Sequence, residues 1–241
     1  MRCRQTLLAF ILAVAMMTGN AAPASLVPLS EARSPVAIVL VGGLYKNFLF
    51  FKEWKPWLDR GDVSVYGFDD DFRALTLNDS SWHLAVGLTA LVHEGKADLI
   101  VIAHSLGGLV AKHALGRMER QGILSRLRVE LHAMGSPWGG SWPANIVPRL
   151  PFHETVLRLI GYPMVIDIGS ESAFMRELAS PLPSNARLFI YEGSRDTVAR
   201  PATAATRARY RSIAATATST AQLDGATHDD FRHPFMVYFD Y

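Results

Sequence analysis

The sequence predicts an α/β domain: a mostly parallel central sheet flanked by helices, with one short cap inserted. Three observations predict it. VAIVLVGG (36–43), ADLIVIA (97–103) and LRVELHAMG (127–135) are continuous apolar runs, as strands buried on both faces require. Helical patterning fills the intervals between them. Strands alternating with helices imply parallel pairing through right-handed crossovers, with the ligand site at the carboxyl ends of the strands.

Each element follows in order. Arg2 and Arg4, the apolar run Leu7 to Met17, and the small residues Ala22-Pro23-Ala24 form the three parts of a secretory signal peptide over 1–24. The run is shorter than the ~20 residues of a spanning helix. Periplasm or medium is the implied destination. Residues 25–35 read as an extended lead-in to a domain over 36–241. After the first core strand, 46–60 predicts a helix ending near Gly61, and Val63 to Phe68 a short strand. Asp79-Ser80-Ser81 offers N-caps for a helix with Trp82, Ala85, Val86, Thr89 and Val92 at helical spacing. Gly108 to Gln121 predicts a helix. From 139 to about 169 the pattern is irregular and proline-rich. ARLFIYEG (186–193) predicts a strand, 200–212 a helix and Thr216 to Leu223 a last strand, before a terminal short helix or extended tail from Asp229 to Tyr241.

Composition excludes several function classes. The single cysteine, Cys3, lies in the leader, so the mature chain has no disulfide, thiol nucleophile or cysteine metal site. Arg2 and Arg4 account for the excess of 24 basic over 22 acidic residues, which removes the charge argument for nucleic acid or an anionic membrane. No HExxH or ligand cluster occurs, and neither metal nor cofactor is expected. The oligomeric state is left open.

The chemistry centres on VIAHSLGGLVAKHALG (101–116), where Ser105 follows a strand and precedes a helix. A serine on so sharp a turn needs small residues two positions to either side, and Ala103 and Gly107 supply them. The helix N-terminus directs its dipole at the serine oxygen. A serine hydroxyl becomes nucleophilic only when a base takes its proton and a third group orients that base. Asp196 follows the 186–193 strand in G-S-R-D-T-V, and His228 follows the last strand in D-G-A-T-H. Among the eight histidines His233 is the rival base, and Asp224 and Asp167 are rival acids. His104, beside Ser105, is expected to fix the turn by packing or a hydrogen bond. Backbone donors for an oxyanion are expected from Leu106 and from Leu44, which follows the Gly42-Gly43 pair.

These stretches, with M-G-S-P-W-G-G-S at 134–141, resemble the α/β-hydrolase superfamily, close to its bacterial lipase and esterase branch, over nearly all the mature chain. The order Ser105, Asp196, His228 is that family's order. The sequence departs in having Gly42 where many lipases carry a histidine before the oxyanion glycine. The resemblance implies a carboxylic ester hydrolase acting through a covalent acyl-enzyme.

Two segments predict the substrate. YKNFLFFKEWKPW (45–57) suggests an apolar wall with Phe48 and Phe51, or a helix packed deep against the sheet. Residues 139–175, entered at Trp138 and Trp142, can serve as a small lid over an apolar substrate. The expected partner is a small-molecule or lipid ester, with transient contact to a lipid surface. A thioesterase or acyltransferase would use the same residues. A non-catalytic binding protein of the same fold is the alternative of another class.

Overall fold

The computed structural model describes residues 24–44, 46–58, 61–70, 75–141, 143–146, 151–160 and 162–234. The signal peptide expected over 1–24 therefore falls, except for Ala24, outside the described residues, as do Trp142 and residues 235–241. Seven strands form one sheet in the order β1-β3-β2-β4-β5-β6-β7. They are β1 (Ser25–Ser30), β2 (Val36–Val41), β3 (Ser64–Asp69), β4 (Asp98–His104), β5 (Arg128–Met134), β6 (Ala186–Gly193) and β7 (Ser219–Leu223). All neighbouring strands run parallel except β1, which lies antiparallel to β3.

The apolar runs divide between two cores. Ala37, Val39, Val41, Leu99, Val101 and Ala103 join the larger core on one face, while Ile38, Leu40, Ile100 and Ile102 join the smaller core on the other. Two-faced burial is why these strands show no polar alternation. On the larger-core side lie α2 (Leu77–His93) and α3 (Leu106–Arg120). Three short helices, α4 (His153–Leu159), α5 (Val165–Ile168) and α6 (Ala173–Glu177), occupy the stretch read from sequence as irregular. Among the described residues the last α-helix is α7 (Ala204–Ala214), and a 3₁₀ turn, Asp230–Arg232, follows β7.

Three local expectations change. The lead-in is partly a strand: Ser25–Ser30 pairs with β3 at the sheet edge, where Pro28 is tolerated because an edge strand leaves N–H groups unused. Residues 46–60 do not make one helix. A 3₁₀ segment, Phe48–Trp54, capped by Asn47, gives way to the short α1 (Lys55–Leu58). Phe51 leaves helical geometry at φ −91°, ψ 17°, and Pro56 has no N–H to continue a ladder of bonds. Finally, Thr76 caps α2 by accepting from Asp79 N, so Asp79-Ser80-Ser81 lies inside the helix rather than before it.

Candidate active site

β4 ends at His104 and α3 begins at Leu106, leaving a single residue to turn the chain. That residue, Ser105, has φ 53° and ψ −127°, a conformation costing a non-glycine residue about 1–3 kcal/mol. The surroundings impose it. Ser105 N–H donates to the Met134 carbonyl at 2.9 Å, and Gly108 N–H donates to the Ser105 carbonyl at 3.1 Å. A Cβ on Gly107 would lie 2.2 Å from the Gly42 carbonyl oxygen, and one on Gly108 would lie 2.0 Å from Ser136 Oγ. Ala103 is fully buried between Val41 and Ala133. Small residues are therefore required on both sides of the serine.

Ser105 Oγ lies 3.1 Å from His228 Nε2, and His228 Nδ1 lies 2.8 Å from Asp196 Oδ2. The network fits one tautomer: Nδ1–H donates to the carboxylate, and bare Nε2 accepts from the hydroxyl. Asp196 Oδ1 accepts from Val198 N and Ala199 N at 2.8 and 2.9 Å. Burial pushes the Asp196 carboxyl up, but bonds from His228, Ala199 and Val198 outweigh it and hold the group below its ordinary range. Gly135, at φ +55°, passes directly beneath this pair. A Cβ there would sit 3.0 Å from Asp196 Oδ2 and 3.3 Å from His228 Nδ1.

The rival residues lie elsewhere. His233 pairs with Glu53 at 2.7 Å. Asp224 accepts from Ser194 Oγ, and Asp167 accepts from Asn78 N. His104 is 1% exposed, stacks on Phe50 with ring centroids 3.9 Å apart, and donates Nε2–H to the His228 carbonyl. Burial, then the neighbouring His228 charge, pulls its pKa down to about 3, so its ring is neutral.

The loop after β2 closes against the serine. Lys46 N–H donates to the Gly43 carbonyl, and a Cβ on Gly43 would lie 2.7 Å from Ser105 Cβ. Leu44 and Leu106 both line the cleft above Ser105, and Leu106 N–H belongs to the first turn of α3, where intrahelical acceptors are lacking.

The cleft has a volume of about 580 Å³. Its walls are mostly apolar: Leu44, Leu106, Pro137, Met164, Val165, Ile168 and Val198. Three expected substrate contacts are corrected. Phe48 and Phe51 do not line this cleft. Phe51 is 1% exposed in the smaller core, and the Phe48 ring fills the space a Cβ on Gly67 would occupy. Trp138 is fully buried in the larger core and offers no surface to a ligand. Aromatic bulk here is consumed by packing. Tyr162, Met164, Val165 and Ile168 line it instead, and their signal was the apolar stretch PMVI inside an otherwise irregular region.

Beyond the cleft, α4 and its flanks expose an apolar stripe of Phe152, Val156 and Ile160, and Tyr162 continues it to the cleft lining.

Neither the family models nor the curated proteins give a match to this sequence. Solved structures do. A Paleococcus ferrophilus monoacylglycerol lipase superposes with a TM-score of 0.60 at 14% identity, over 88% of this chain and 92% of that one. A structure from a study of two metagenome-derived lipolytic enzymes gives 0.58 at 13% identity, over 88% and 91%. An α/β hydrolase enzyme from the metagenome of lagoon sediments at Mar Chica, Morocco, gives 0.56 at 19% identity, over 89% and 90%. Together with the sheet order and the serine turn at the end of β4, these likenesses establish that the chain has the α/β-hydrolase fold.

Proposed function

We propose that this protein is a secreted or periplasmic serine hydrolase that cleaves carboxylic esters with apolar acyl groups. The observation that carries the reading is the chain of contacts from Ser105 through His228 to Asp196 on the floor of an apolar cleft. The lipase and esterase names of the similar structures support the same reaction class.

The chemistry follows from the geometry. His228 Nε2 takes the Ser105 proton as Oγ attacks the ester carbonyl, and the carbonyl electrons move to oxygen. Leu44 N–H and Leu106 N–H stabilise that oxyanion. Asp196 holds the imidazole in its tautomer and stabilises the imidazolium. The tetrahedral intermediate collapses, His228 Nε2–H protonates the departing alcohol oxygen, and the acyl group remains on Ser105. Water then repeats the sequence, with His228 as its base, and releases the acid. The acyl chain lies among Leu106, Met164, Val165 and Ile168. The stripe on α4 supports transient contact with a lipid surface, and 139–175 acts as a small lid. Secretion rests on the leader pattern of residues 1–24 alone.

The test is mass spectrometry of the folded protein after exposure to a fluorophosphonate. One adduct is expected, on Ser105, abolished in Ser105→Ala and slowed at least about a hundredfold in His228→Ala. A folded protein that hydrolyses no ester and takes no adduct refutes the reading.

A further inference from the structure

The stretch from 195 to 211 carries Arg195, Arg200, Arg207, Arg209 and Arg211 against a single acid, Asp196, which is already engaged with His228. Among the described residues none of these five arginines forms an ion pair. Arg207 and Arg209 donate only to the backbone carbonyls of Ala202 and Ser170.

The fold uses only part of this charge: Arg209 ties α7 to the Ser170 carbonyl, and Arg211 stands in the last turn of α7, where the helix dipole favours a cation. Arg207 and Arg211 are exposed and four residues apart on α7, where like charges repel. No acid stands in the first turn of α7, where the helix dipole would favour one. Five cations with no ion pair, on a segment that borders the cleft, point to an anionic ligand.

Arg200 is the member that reaches the cleft. Val198 and Ala199 N–H both donate to Asp196 Oδ1, which holds the backbone leading into Arg200 against the acid. The cleft lining holds one other cation, Lys46, and no carboxylate. Lys46 is already bound to Asp229. Among the described residues, Arg200 is thus the one cation of the lining without an acidic partner.

We propose that the ester substrate carries a phosphate group, which Arg200 receives while the acyl chain occupies the apolar part of the lining. The guanidinium fork suits a phosphate, which it can bind through two parallel N–H bonds. Arg195, Arg207 and Arg211, exposed on the same stretch of chain, add long-range attraction for such a substrate. The inference rests on the ester hydrolase reading and adds to it the class of the substrate.

The experiment compares two monomeric esters with one acyl chain, hexanoylglycerol and hexanoylglycerol phosphate, both below their aggregation concentrations. The native protein is expected to favour the phosphate ester in kcat/KM by about tenfold or more, as a charge-assisted hydrogen bond allows. Arg200→Ala brings the ratio to about one, Arg200→Lys retains part of it, and Arg200→Glu drives it below one. Thermal melting and the rate of Ser105 labelling by a fluorophosphonate separate this loss from misfolding. A native ratio near one, or a ratio unmoved in folded Arg200→Ala, overturns the proposal. So does a preference found only on anionic vesicles, which assigns the arginines to surface attraction instead. If neither ester is cleaved and Ser105 takes no label, the hydrolase reading fails and this one with it.

Discussion

The Nε2–H of His104 donates to the backbone carbonyl of His228 over 2.9 Å, tying the residue before the serine to the residue that contacts it. His104 ends β4, whereas His228 lies beyond β7 at the far edge of the sheet. The bond thus sets the gap between two distant segments. His104 is itself held by the stack on Phe50.

Two substitutions separate the bond from the packing. His104→Phe keeps an aromatic ring against Phe50 and removes the donor. His104→Gln keeps an N–H of similar reach and removes the ring. A displaced base should lower kcat in His104→Phe by about ten- to a hundredfold with KM little changed, since a misplacement near 1 Å costs on that order. His104→Gln should retain most of kcat, with the loss appearing in melting temperature. Steady-state kinetics on a soluble ester, alongside thermal melts, checks this. The reverse ranking would show that only ring packing matters.

The serine turn makes a second, steric prediction. Ala103→Gly should be tolerated, because it removes a methyl group and keeps the position two before the serine small. Gly107→Ala should not, since its methyl would meet the Gly42 and Val41 carbonyl oxygens at 2.2 and 2.6 Å, backbone atoms that cannot rotate away. The expected loss is at least about 1–3 kcal/mol, with ester turnover falling further because the Gly42–Gly43 loop must shift. Urea denaturation and turnover, measured on both variants, test the asymmetry.

The sequence makes this turn legible because sterics act over a few residues: Ala103, Ser105 and Gly107 can be read as a unit. Buried parallel strands were legible for a similar reason, each being one unbroken apolar run. The edge strand Ser25–Ser30 was not, because Pro28 and mixed polarity conceal a strand that uses only one side for pairing. The cleft walls were the least legible part. Phe48, Phe51 and Trp138 are as apolar as true wall residues, and only the three-dimensional packing decides which apolar side chains meet each other and which meet space. Ser105, Asp196 and His228 come together from far apart, yet polar residues just beyond strand ends are few enough to be singled out.

Buried histidines predict an acid-sensitive fold. Burial, then the charge of His228, holds His104 down to about 3, and burial, then Arg117, holds His113 down to about 4. Burial lowers His132 as well. In the unfolded chain each takes a proton near pH 6.5, whereas the folded protein refuses it. The unfolded state therefore binds more protons below pH 6.5, and stability falls as pH drops from there towards 4. Each histidine contributes a slope of about 1.4 kcal/mol per pH unit at most. Asp167 and Glu192, whose carboxyls burial holds above the ordinary range, take protons sooner in the folded state and oppose part of this loss. His113 bonds to Ser81 Oγ at 2.8 Å and to Glu177 at 3.1 Å, so His113→Gln can keep polar partners without the titration. Its urea midpoint should depend less steeply on pH between 6.5 and 4 than that of the native protein. An unchanged slope would remove His113 from the account.

The corrected cleft lining predicts where chain-length preference is set. Ile168 lines the cavity on the α5 side, and Met164 and Val165 stand beside it. Replacing Ile168 by Phe adds volume to an apolar wall, so esters with longer acyl chains should lose kcat/KM before short ones do. One methylene of misfit in such a pocket is worth about 1–3 kcal/mol, which places the discrimination between long and short chains at roughly ten- to two-hundredfold. Phe51→Leu provides the contrast. Phe51 is buried against Trp54 in the smaller core, with rings 5.7 Å apart, so this change should lower the melting temperature without altering the shape of the chain-length profile. Turnover of a homologous series of esters from acetyl to decanoyl, measured for the native protein and both variants, decides between the two walls. A profile that shifts in Phe51→Leu and stays fixed in Ile168→Phe would return the acyl site to the Phe48–Trp54 segment.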